Sequence, residues 1–389
     1  MKVLHVIPSL SPSQGGPSLV LPVMAGALAE RGIQVDVVTT DDDGRGRRVP
    51  CGVTEGWQER DGWRLRMFPK QTEFYKVSMP LRRWLRGHAA DYDVVHVHAV
   101  FSFASSAACA AARAAGVPFI VRPLGVLNAW GMQNRRRWVK ALSFRWLDKP
   151  LLDAAAAIHF TSQAEADEAA ELSIRARPVV IPLGTDLRCL DALPPPSSFH
   201  DSHPAASGGR NFLFLSRIDP KKGLELLLDA FAASRAGRQG WLLVVAGAGD
   251  KPYEDALKER ARASGISDRV LWTGFLEGAQ RLAALAACQV FVLPSSSENF
   301  GVALLEAMAV GLPCISTEGV ALAREAAAAQ AVLLTGRTAP ELAATMDRLA
   351  GDAAEREALG RRASQLARSA YSAQAMAAAL ENLYQQSRK

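Results

Sequence analysis

Short apolar runs alternate with longer Ala- and Leu-rich stretches along the whole chain. Runs of three to five β-branched or large apolar residues are typical of buried strands in parallel sheets, and the longer stretches have the period of helices. The pattern predicts six strands in each half of the chain. They lie at residues 3–7, 35–39, 94–98, 119–121, 158–161 and 179–182, and then at 212–216, 242–246, 270–273, 290–293, 314–316 and 332–334. Strands and helices in this order predict an α/β protein of two doubly wound, Rossmann-like domains facing each other across a cleft.

A segment rich in Pro, Ser and Gly separates the two halves. It includes three consecutive prolines in residues 192–198 and a glycine pair at the end of 205–209. Such a composition packs poorly and favours a linker. We therefore predict an N-terminal domain at 1–190, a linker at 191–210 and a C-terminal domain at 211–372. A last helix at 373–389 is expected to pack back onto the N-terminal domain.

The composition is that of a soluble globular protein. Of 389 residues, 49% are hydrophobic and 22% are charged, which suits two folded domains and excludes a disordered chain. No stretch approaches the roughly 20 apolar residues that span a bilayer. The five cysteines are scattered and include no Cys-x-x-Cys pair. This usage predicts a reduced, cytoplasmic protein without structural zinc.

The net charge of +6 comes entirely from an excess of basic residues in positions 1–190. Two segments combine these charges with tryptophan: Lys76 to Arg86 around Trp84, and Arg135 to Lys149 with Trp130, Trp138 and Trp146. One hypothesis is that these segments bind an anionic membrane surface. The alternative is a solvated basic face with its tryptophans in the core. No nucleic-acid-binding motif accompanies the charge, so nucleic acid is not predicted as a partner.

The most specific chemical pattern is a pair of glutamates around a predicted helix start. Glu298 precedes Asn299, Phe300 and Gly301, and Glu306 follows in the second turn of the helix. Free N–H groups at a helix start attract phosphate and hydroxyl oxygens. At about 1.5 Å per residue, the two acids lie roughly 10 Å apart, which matches the distance from a sugar through two phosphates to a ribose. The segment therefore predicts a nucleotide-sugar site.

Three strand-end loops carry further candidate ligand groups. Arg217 and Lys222 follow one strand and can converge on a diphosphate. Gly15 and Gly16 follow the first strand, where paired glycines allow close approach of the backbone to a ligand. Gly247 begins a glycine turn after another strand, but this turn lacks the third glycine of a dinucleotide fingerprint, so NAD is not predicted.

Two histidines end the strand at 94–98. We predict a catalytic role for His98, which is nearer the loop, and a structural role for His96. No third ligand lies near them in sequence, so we predict no metal site. The acidic runs 41–43 and 91–93 resemble Asp-x-Asp metal motifs, but their positions favour solvated charges.

Together these residues resemble the glycosyltransferase family 4 enzymes, which are retaining and have the GT-B fold, over nearly the whole chain. The matching positions are Gly15, Gly16, His98, Leu183 to Asp186, Arg217, Lys222, Gly223, Gly247 to Gly249, Glu298 and Glu306. The resemblance implies metal-independent transfer from a nucleoside-diphosphate sugar, with the acceptor on the N-terminal domain. It also implies that Arg217 and Lys222 hold the diphosphate, and that Glu298 contacts the donor sugar. Glu306 would contact the ribose, and His98 would lie beside the reacting sugar.

The sequence departs from the family pattern at two positions. Ser216 and Asn299 stand where the family usually has glycine, which leaves the identity of the donor open. The stretch 122–130 resembles bacterial members that build surface polysaccharides on lipid-linked acceptors. The resemblance thus implies a glycan or lipid-linked glycan acceptor, a nucleotide sugar as substrate and no cofactor. It places the protein in the cytoplasm, with a peripheral position at the inner face of the plasma membrane as a hypothesis.

Two other functions fit the same residues. A sugar-nucleotide 2-epimerase uses a similar two-domain fold and needs no second sugar. A non-catalytic membrane adaptor would bind the nucleotide sugar without turning it over. The sequence leaves open the base, the sugar, the acceptor, the linkage and the oligomeric state.

Overall fold

The computed structural model describes residues 1–11, 16–44, 46–49, 56–127, 144–298 and 300–388. The chain divides into two compact units. The first unit consists of Met1–Asp186 and Tyr371–Lys389, and the second consists of Leu187–Ala370. Each unit contains one largely parallel sheet with helices, as the alternating pattern of the sequence predicts.

The first unit is built on an eight-stranded sheet with the order β3-β4-β2-β1-β5-β6-β7-β8. Its strands are β1 (Lys2–Ser9), β2 (Gln34–Thr40), β3 (Gln58–Arg60), β4 (Trp63–Phe68), β5 (Val94–His98), β6 (Phe119–Arg122), β7 (Ala157–Phe160) and β8 (Arg177–Val180). Only the β3–β4 pair is antiparallel among the described pairs of this sheet. The helices from its first segment are α1 (Gly16–Glu30), α2 (Met79–His88), α3 (Phe103–Ala114), α4 (Lys149–Leu152) and α5 (Gln163–Ala170).

The second unit has a six-stranded sheet with the order β11-β10-β9-β12-β13-β14. Its strands are β9 (Asn211–Leu215), β10 (Leu242–Ala246), β11 (Val270–Gly274), β12 (Val290–Leu293), β13 (Cys314–Ser316) and β14 (Leu333–Leu334). Its helices are α6 (Ser197–Ser202), α7 (Leu224–Ala233), α8 (Arg235–Arg238), α9 (Lys251–Ala263), α10 (Gly278–Ala287), α11 (Val302–Ala309), α12 (Ala321–Ala328), α13 (Ala339–Gly351) and α14 (Ala353–Ala370). The last helix, α15 (Ala373–Ser387), returns to the first unit.

Single turns complete the described structure. Short 3-10 turns lie at Ala89–Asp91, Arg188–Leu190, Pro204–Gly208, Pro220–Lys222 and Ser267–Arg269, and a π-helical turn lies at Phe144–Asp148. Among the helices that the structure describes, none combines the length and the apolar character needed to cross a bilayer.

All twelve predicted strands are present, but two further strands were missed. In β4, buried and half-buried side chains alternate between Trp63 and Arg66. One face carries Trp63 and Leu65, and on the other Arg64 pairs with Asp36 and Arg66 lies over the Trp84 ring. Arg64 and Arg66 on the other face interrupt the apolar run. The residues therefore lack the continuous hydrophobic pattern that identifies the central parallel strands.

The segment 191–210, predicted as a linker, differs from that prediction. It contains α6 and the turn Pro204–Gly208, and α6 packs against α10. Phe199 and Ala206 are buried, with exposed fractions of 2% and 0%. The Asn211 side chain donates a hydrogen bond to the Ala206 carbonyl at 2.7 Å. These contacts make the segment part of the second unit, since Phe199 supplies an anchor despite the surrounding prolines.

Helix α15 packs against α1 and supplies one side of the core of the first unit. Met376, Leu380, Leu383 and Tyr384 are each no more than 2% exposed. At the start of this segment, a Cβ on Gly184 would lie 2.3 Å from the Ser372 carbonyl oxygen. Glycine at this position therefore allows the two separate segments of the unit to meet.

Candidate functional site

In the second unit, two strand-end loops pack backbone against backbone. A Cβ on Gly247, after β10, would lie 1.9 Å from the Ser216 carbonyl oxygen, after β9. A Cβ on Gly249 would lie 2.1 Å from the Ile218 carbonyl oxygen, and the Ile218 N–H donates to the Ala248 carbonyl at 2.9 Å. This contact accounts for glycine at position 247, a residue predicted to bind the donor. It also leaves Arg217, between Ser216 and Ile218, exposed at the carboxyl edge of the sheet.

A cavity of about 440 Å³ lies beside Arg217. Its lining includes the predicted diphosphate ligand Arg217 and groups from the loop after β10 and from α9, namely Gly249, Asp250 and Tyr253. The carboxyl ends of parallel strands are the usual site of ligand binding in doubly wound sheets. The cavity occupies that position within this unit.

Lys222 and Glu298 form an ion pair. Lys222 ends the turn Pro220–Lys222, which the Asp219 side chain caps by accepting a hydrogen bond from the Lys221 N–H at 2.9 Å. The following Gly223 has φ of +72°, and a Cβ there would lie 2.3 Å from the Pro294 carbonyl oxygen. The glycine therefore lets this turn lie directly against the end of β12, where the chain continues to Glu298. The structure thus brings the predicted phosphate ligand Lys222 and the predicted sugar ligand Glu298 together as an ion pair, a contact that the sequence analysis did not predict.

The peptide of Glu298 is held on both sides by the loop before α12. Its N–H donates to the Gly319 carbonyl at 2.8 Å, and its carbonyl accepts from the Ala321 N–H at 3.2 Å. Gly301, with φ of +95°, is the residue before α11, as the predicted helix start requires. Phe300 is half-buried, and Asn299 lies outside the described residues.

Glu306 lies in α11 and is buried, with 6% of its surface exposed. Burial raises the pKa of its carboxyl, and the positive charge of Arg281 opposes this shift. Arg281 donates a hydrogen bond from Nη1 to Oε1 at 2.5 Å. Arg281 was not among the predicted site residues. It is the only charged residue in α10, and that isolation is a signal that would have marked it.

In the first unit, the predicted catalytic residue His98 is fully buried, as is His96. The two rings stack with centroids 4.4 Å apart. His5, from β1, lies beside them, and its Nδ1 is 2.9 Å from Nε2 of His98. The sequence analysis found no third histidine near this pair because His5 is more than ninety positions away; register pairs it with His96 in the sheet.

The nitrogen atoms of His5, His96 and His98 lie within 4.8 Å of one another, a spacing that also suits a metal ion. The rings, however, hydrogen bond to each other and to Tyr384. The buried guanidinium of Arg122 is also close enough to lower the pKa of each ring, after burial itself. The positive charge of Arg122 also disfavours a metal cation at this position. The residues thus favour a hydrogen-bonded cluster over a cation site.

Arg122 ends β6 directly beside His98 in register. It is 2% exposed, and burial lowers the pKa of its guanidinium to about 10. Its Nε and Nη1 have no hydrogen-bond partner in the described part of the structure. Buried unpaired donors are costly, so this arginine marks a position of functional interest.

A cavity of about 510 Å³ lies at the carboxyl ends of β1, β5 and β6 in the first unit. Its lining combines hydroxyl, carboxylate, ammonium and aromatic groups. They include Ser9, Asp42, Glu73, Phe74, Lys76 and Phe101. Five of its lining residues, none of them glycine, have positive φ: Tyr75, Lys76, Ala99, Phe101 and Leu124. Such strained positions cluster at functional sites.

The acidic run 41–43 was interpreted as solvated charge, and for two of its members this was wrong. Asp41 and Asp42 are each 2% exposed. Asp42 accepts a hydrogen bond from Nζ of the buried Lys70 at 2.8 Å and pairs with Lys76. Burial pushes the pKa of Asp42 up, but the bonds from the two lysines outweigh it and hold the pKa below its usual value. Local sequence could not show this, because the lysines come from a later loop.

Several predicted residues are outside the described part of the chain. They are Gly15, Trp130, Arg135 to Arg137, Trp138, Lys140 and Asn299. Gly16 is the first residue of α1. Of the tryptophans proposed for membrane contact, Trp84 is 9% exposed and stacks on His88, whereas Trp146 is 71% exposed. The core alternative is therefore correct for Trp84.

Comparisons with known proteins agree across both units. Residues 197–366 match the family described as glycosyl transferases group 1, and residues 15–184 match a glycosyl transferase 4-like domain. A GDP-mannose:cellobiosyl-diphosphopolyprenol alpha-mannosyltransferase of Xanthomonas oryzae is 28% identical over 80% of this chain and 77% of its own length.

Solved structures show the same fold. A glycosyltransferase from Rickettsia africae superposes with a TM-score of 0.75 at 16% identity, covering 100% of this chain and 98% of its own. HepE from Anabaena, solved in complex with UDP, has a TM-score of 0.74 at 20% identity, with coverage of 99% and 100%. The fold is GT-B. The chain belongs to the group 1, family 4 type of glycosyltransferases, and it is an enzyme of the hexosyltransferase class.

Proposed function

We propose that this enzyme transfers a hexosyl group, with retention, from a nucleoside-diphosphate sugar to a glycan or lipid-linked glycan in bacterial polysaccharide biosynthesis. The observation that carries the proposal is the ion pair of Lys222 with Glu298, together with the exposed Arg217 from the same loop after β9. A nucleoside-diphosphate sugar needs cations at its phosphates and acceptors of hydroxyl protons at its sugar. These three side chains supply both within one strand-end region.

In this proposal the ion pair is exchanged for contacts with the donor. The Lys222 ammonium binds the diphosphate oxygens, and the Glu298 carboxylate, no longer paired, accepts hydrogen bonds from sugar hydroxyls. Lys222 and Glu298 are only 12% and 20% exposed, so little water competes for either group. Arg217 adds the planar, paired donors that match phosphate geometry.

Positive charge is the main catalytic contribution. The bond between the anomeric carbon and the phosphate oxygen breaks, and the acceptor oxygen bonds to the same face of that carbon. The acceptor proton passes to the departing phosphate, whose negative charge Lys222 and Arg217 stabilise. Because two fixed side-chain cations supply this stabilisation, we propose that neither a metal nor another cofactor is required.

Glu306 is proposed to bind the ribose hydroxyls of the donor. Its burial would otherwise favour the neutral acid, which accepts hydrogen bonds less well. The hydrogen bond from Arg281 favours the ionised form and fixes one carboxylate oxygen. Arg281 therefore acts on the nucleotide through Glu306.

The cavity of the first unit is the proposed acceptor site. Asp42 and Glu73 offer carboxylate oxygens, and Phe74 and Phe101 offer aromatic surface. A mostly apolar pocket with a few placed polar groups is typical of sites for small organic ligands, and sugars present both hydroxyls and an apolar ring face.

A peripheral position at the anionic inner face of the plasma membrane is part of the proposal. The positive charge excess of residues 1–190 and the exposed rings of Trp146 and Phe74 support it. Sedimentation with vesicles that contain or lack anionic lipid tests it at low salt. Equal partitioning into both vesicles contradicts it, and Trp146→Ala is expected to weaken the anionic preference.

The proposed reaction is tested with purified enzyme and a panel of UDP, GDP and ADP sugars. GDP-mannose is the first donor to try, because the Xanthomonas relative is named for it. The expected result is release of nucleoside diphosphate that depends on a diphosphate-linked glycan acceptor, with an α-linked product from an α-linked donor by NMR.

Three results contradict the proposal. A product of inverted anomeric configuration excludes the retaining mechanism. Conversion of the donor sugar to its 2-epimer without any acceptor identifies an epimerase. Tight donor binding without turnover, with any acceptor, identifies a binding adaptor.

A further inference from the structure

Four histidines and one tyrosine form a single hydrogen-bonded chain through the interior of the first unit. The histidines come from β1, β5 and β7, and the tyrosine comes from α15. All five side chains, His5, His96, His98, His159 and Tyr384, have 0% exposure. A continuous chain of groups that each donate and accept has a definite direction once one end is fixed.

The far end of this chain is fixed by a backbone carbonyl. Nε2 of His159 lies 2.9 Å from the Ile181 carbonyl oxygen, which can only accept. The remaining contacts are His159 Nδ1 to His96 Nε2 at 3.3 Å, His96 Nδ1 to Tyr384 Oη at 2.8 Å, Tyr384 Oη to His5 Nε2 at 3.5 Å, and His5 Nδ1 to His98 Nε2 at 2.9 Å.

The direction of each bond follows from the one before it when every ring is neutral. His159 donates from Nε2, so its Nδ1 accepts and His96 must donate from Nε2. Nδ1 of His96 then accepts the single proton of the Tyr384 hydroxyl. The tyrosine oxygen has only lone pairs left for His5, which therefore donates from Nε2 and accepts at Nδ1 from Nε2 of His98.

The surroundings keep the rings neutral. Burial is the largest cause that lowers the pKa of each of the four histidines, and the charge of Arg122 lowers each of them further. Burial also raises the pKa of Tyr384. Among the described residues, Arg122 on β6 is the charged group whose field acts on these rings.

We infer that this chain fixes His98 as the tautomer protonated at Nε2, so that its Nδ1 is a hydrogen-bond acceptor, and that Tyr384 is the residue that passes the direction from His96 to His5. Nδ1 of His98 has no partner in the described part of the structure. An unfilled acceptor is less costly in the interior than an orphaned N–H donor. The nearby guanidinium also favours a lone pair over a proton at this position.

The consequence for catalysis rests on the proposed function. A neutral His98 that is bare at Nδ1 accepts a hydrogen bond at this atom and donates none there. It therefore does not act as an acid through Nδ1. Tyr384, nearly three hundred positions from His98 and contributed by the last helix, is a positioning residue for it.

The tautomers are measurable without any substrate. Protein labelled with ¹⁵N-histidine has seven such residues, and long-range ¹H–¹⁵N spectra separate the two tautomers of each. His98→Gln assigns the signal. We expect His98 to be protonated at Nε2 in the wild type. In Tyr384→Phe, His5 loses the acceptor for its Nε2 proton, so His5 and His98 are expected to show mixed tautomers.

Tyr92→Phe is the matched control. Tyr92 is also a buried tyrosine of the first unit, and its hydroxyl donates to Asp36 at 2.8 Å, away from the histidines. It is expected to leave the histidine spectrum unchanged. His98 protonated at Nδ1 in the wild type, or identical histidine spectra for Tyr384→Phe and the wild type, overturns the inference.

Kinetics add a second readout. Tyr384→Phe is expected to lower kcat about 5- to 10-fold, the scale of one hydrogen bond, with little change in the donor KM. An unchanged kcat refutes the positioning role. If the wild type transfers no sugar from any donor, the proposed function fails, and the tautomer measurement alone decides this inference.

Discussion

Lys221 and Lys222 are neighbours in one turn but have different environments. The Lys222 side chain is 12% exposed and paired with Glu298, whereas Lys221 is exposed. Lys222→Ala is expected to lower turnover by about two or more orders of magnitude, because it removes the cation that we propose stabilises the departing diphosphate. Initial rates of nucleoside-diphosphate release measure this effect.

Lys221→Ala is the control for that experiment. It removes the same side chain one position away and should retain a rate near that of the wild type. Equal rates for Lys222→Ala and the wild type would reject the catalytic role.

Glu306 predicts a dependence of stability on pH. Burial raises the pKa of its carboxyl above the ordinary value of 4.5. A carboxyl with a raised pKa contributes most to stability at and below its unfolded pKa, and this contribution is lost as the pH rises through its folded pKa. The free energy of unfolding of the wild type, relative to Glu306→Gln, should therefore fall over the pH interval above 4.5.

Urea denaturation of the wild type and Glu306→Gln at several pH values measures this difference. A difference that is constant over the interval would show that the carboxylate is not penalised by its burial. Activity gives an independent readout, since Glu306→Gln is expected to raise the donor KM through the loss of a ribose contact.

Single residues were predictable where local context marks them. Glu298 and Glu306 lie around a helix start, and Arg217 and Lys222 follow one strand, so their spacing was enough to propose them as site residues. Arg281 and Tyr384 were not predicted, because their importance comes from partners that the fold brings close. Asp42 was misinterpreted for the same reason: the sequence does not reveal that Lys70 is buried against it.

At the scale of elements, continuous apolar runs predicted the central strands well because both faces of a parallel sheet are covered. Strand β4, next to the edge strand β3, was not predicted, since Arg64 and Arg66 interrupt its apolar run. Helix α6 was not predicted, because its serines and the prolines before it suggested a linker. The buried side chain of Phe199 anchors the helix. Composition describes the average of a segment, so it does not reveal that one buried aromatic ring can fix an otherwise polar segment to a domain.

The contact between the loops after β9 and β10 gives a prediction at this scale. Gly247→Ala would place a Cβ 1.9 Å from the Ser216 carbonyl oxygen. We expect a loss of about 1–3 kcal/mol in the free energy of unfolding, since the backbone of one loop must move. Chemical denaturation measures it. Gly351→Ala, with open space around its Cβ, is the control and should cost nothing.

If Gly247→Ala and Gly351→Ala have the same denaturation midpoint, the close packing of the two loops is wrong. A loss confined to Gly247→Ala, together with weaker donor binding, would link the packing to the position of Arg217.

At the scale of the molecule, the two units have separate cores, and the last helix belongs to the first. Leu380, in α15, and Leu349, in α13, are both fully buried. Leu380→Ala should destabilise the first unit, and Leu349→Ala the second, each by about 2–5 kcal/mol because of the cavity left behind.

Hydrogen exchange measured by mass spectrometry distinguishes the two variants. Leu380→Ala should reduce protection in β1, β2 and β5, and Leu349→Ala in β9, β10 and β12. Loss of protection in the strands of the second unit on Leu380→Ala would contradict the assignment of α15.

The division into two doubly wound domains was predictable from the strand count, but the boundary was not. The second unit begins at Leu187, because α6 and the turns around it pack on that unit. A stretch without a clear hydrophobic pattern between two predicted domains can therefore be a folded part of one of them.

The discontinuous first unit has a consequence for biosynthesis. Residues Met1–Asp186 leave the ribosome first, yet the helix that closes their core follows the entire second unit in the chain. At about 5–20 residues per second, translation of the intervening 187–370 takes on the order of ten seconds or more. During that interval the nascent first unit exposes the apolar surface that α15 later covers, and this surface stays open to aggregation until α15 has been synthesised.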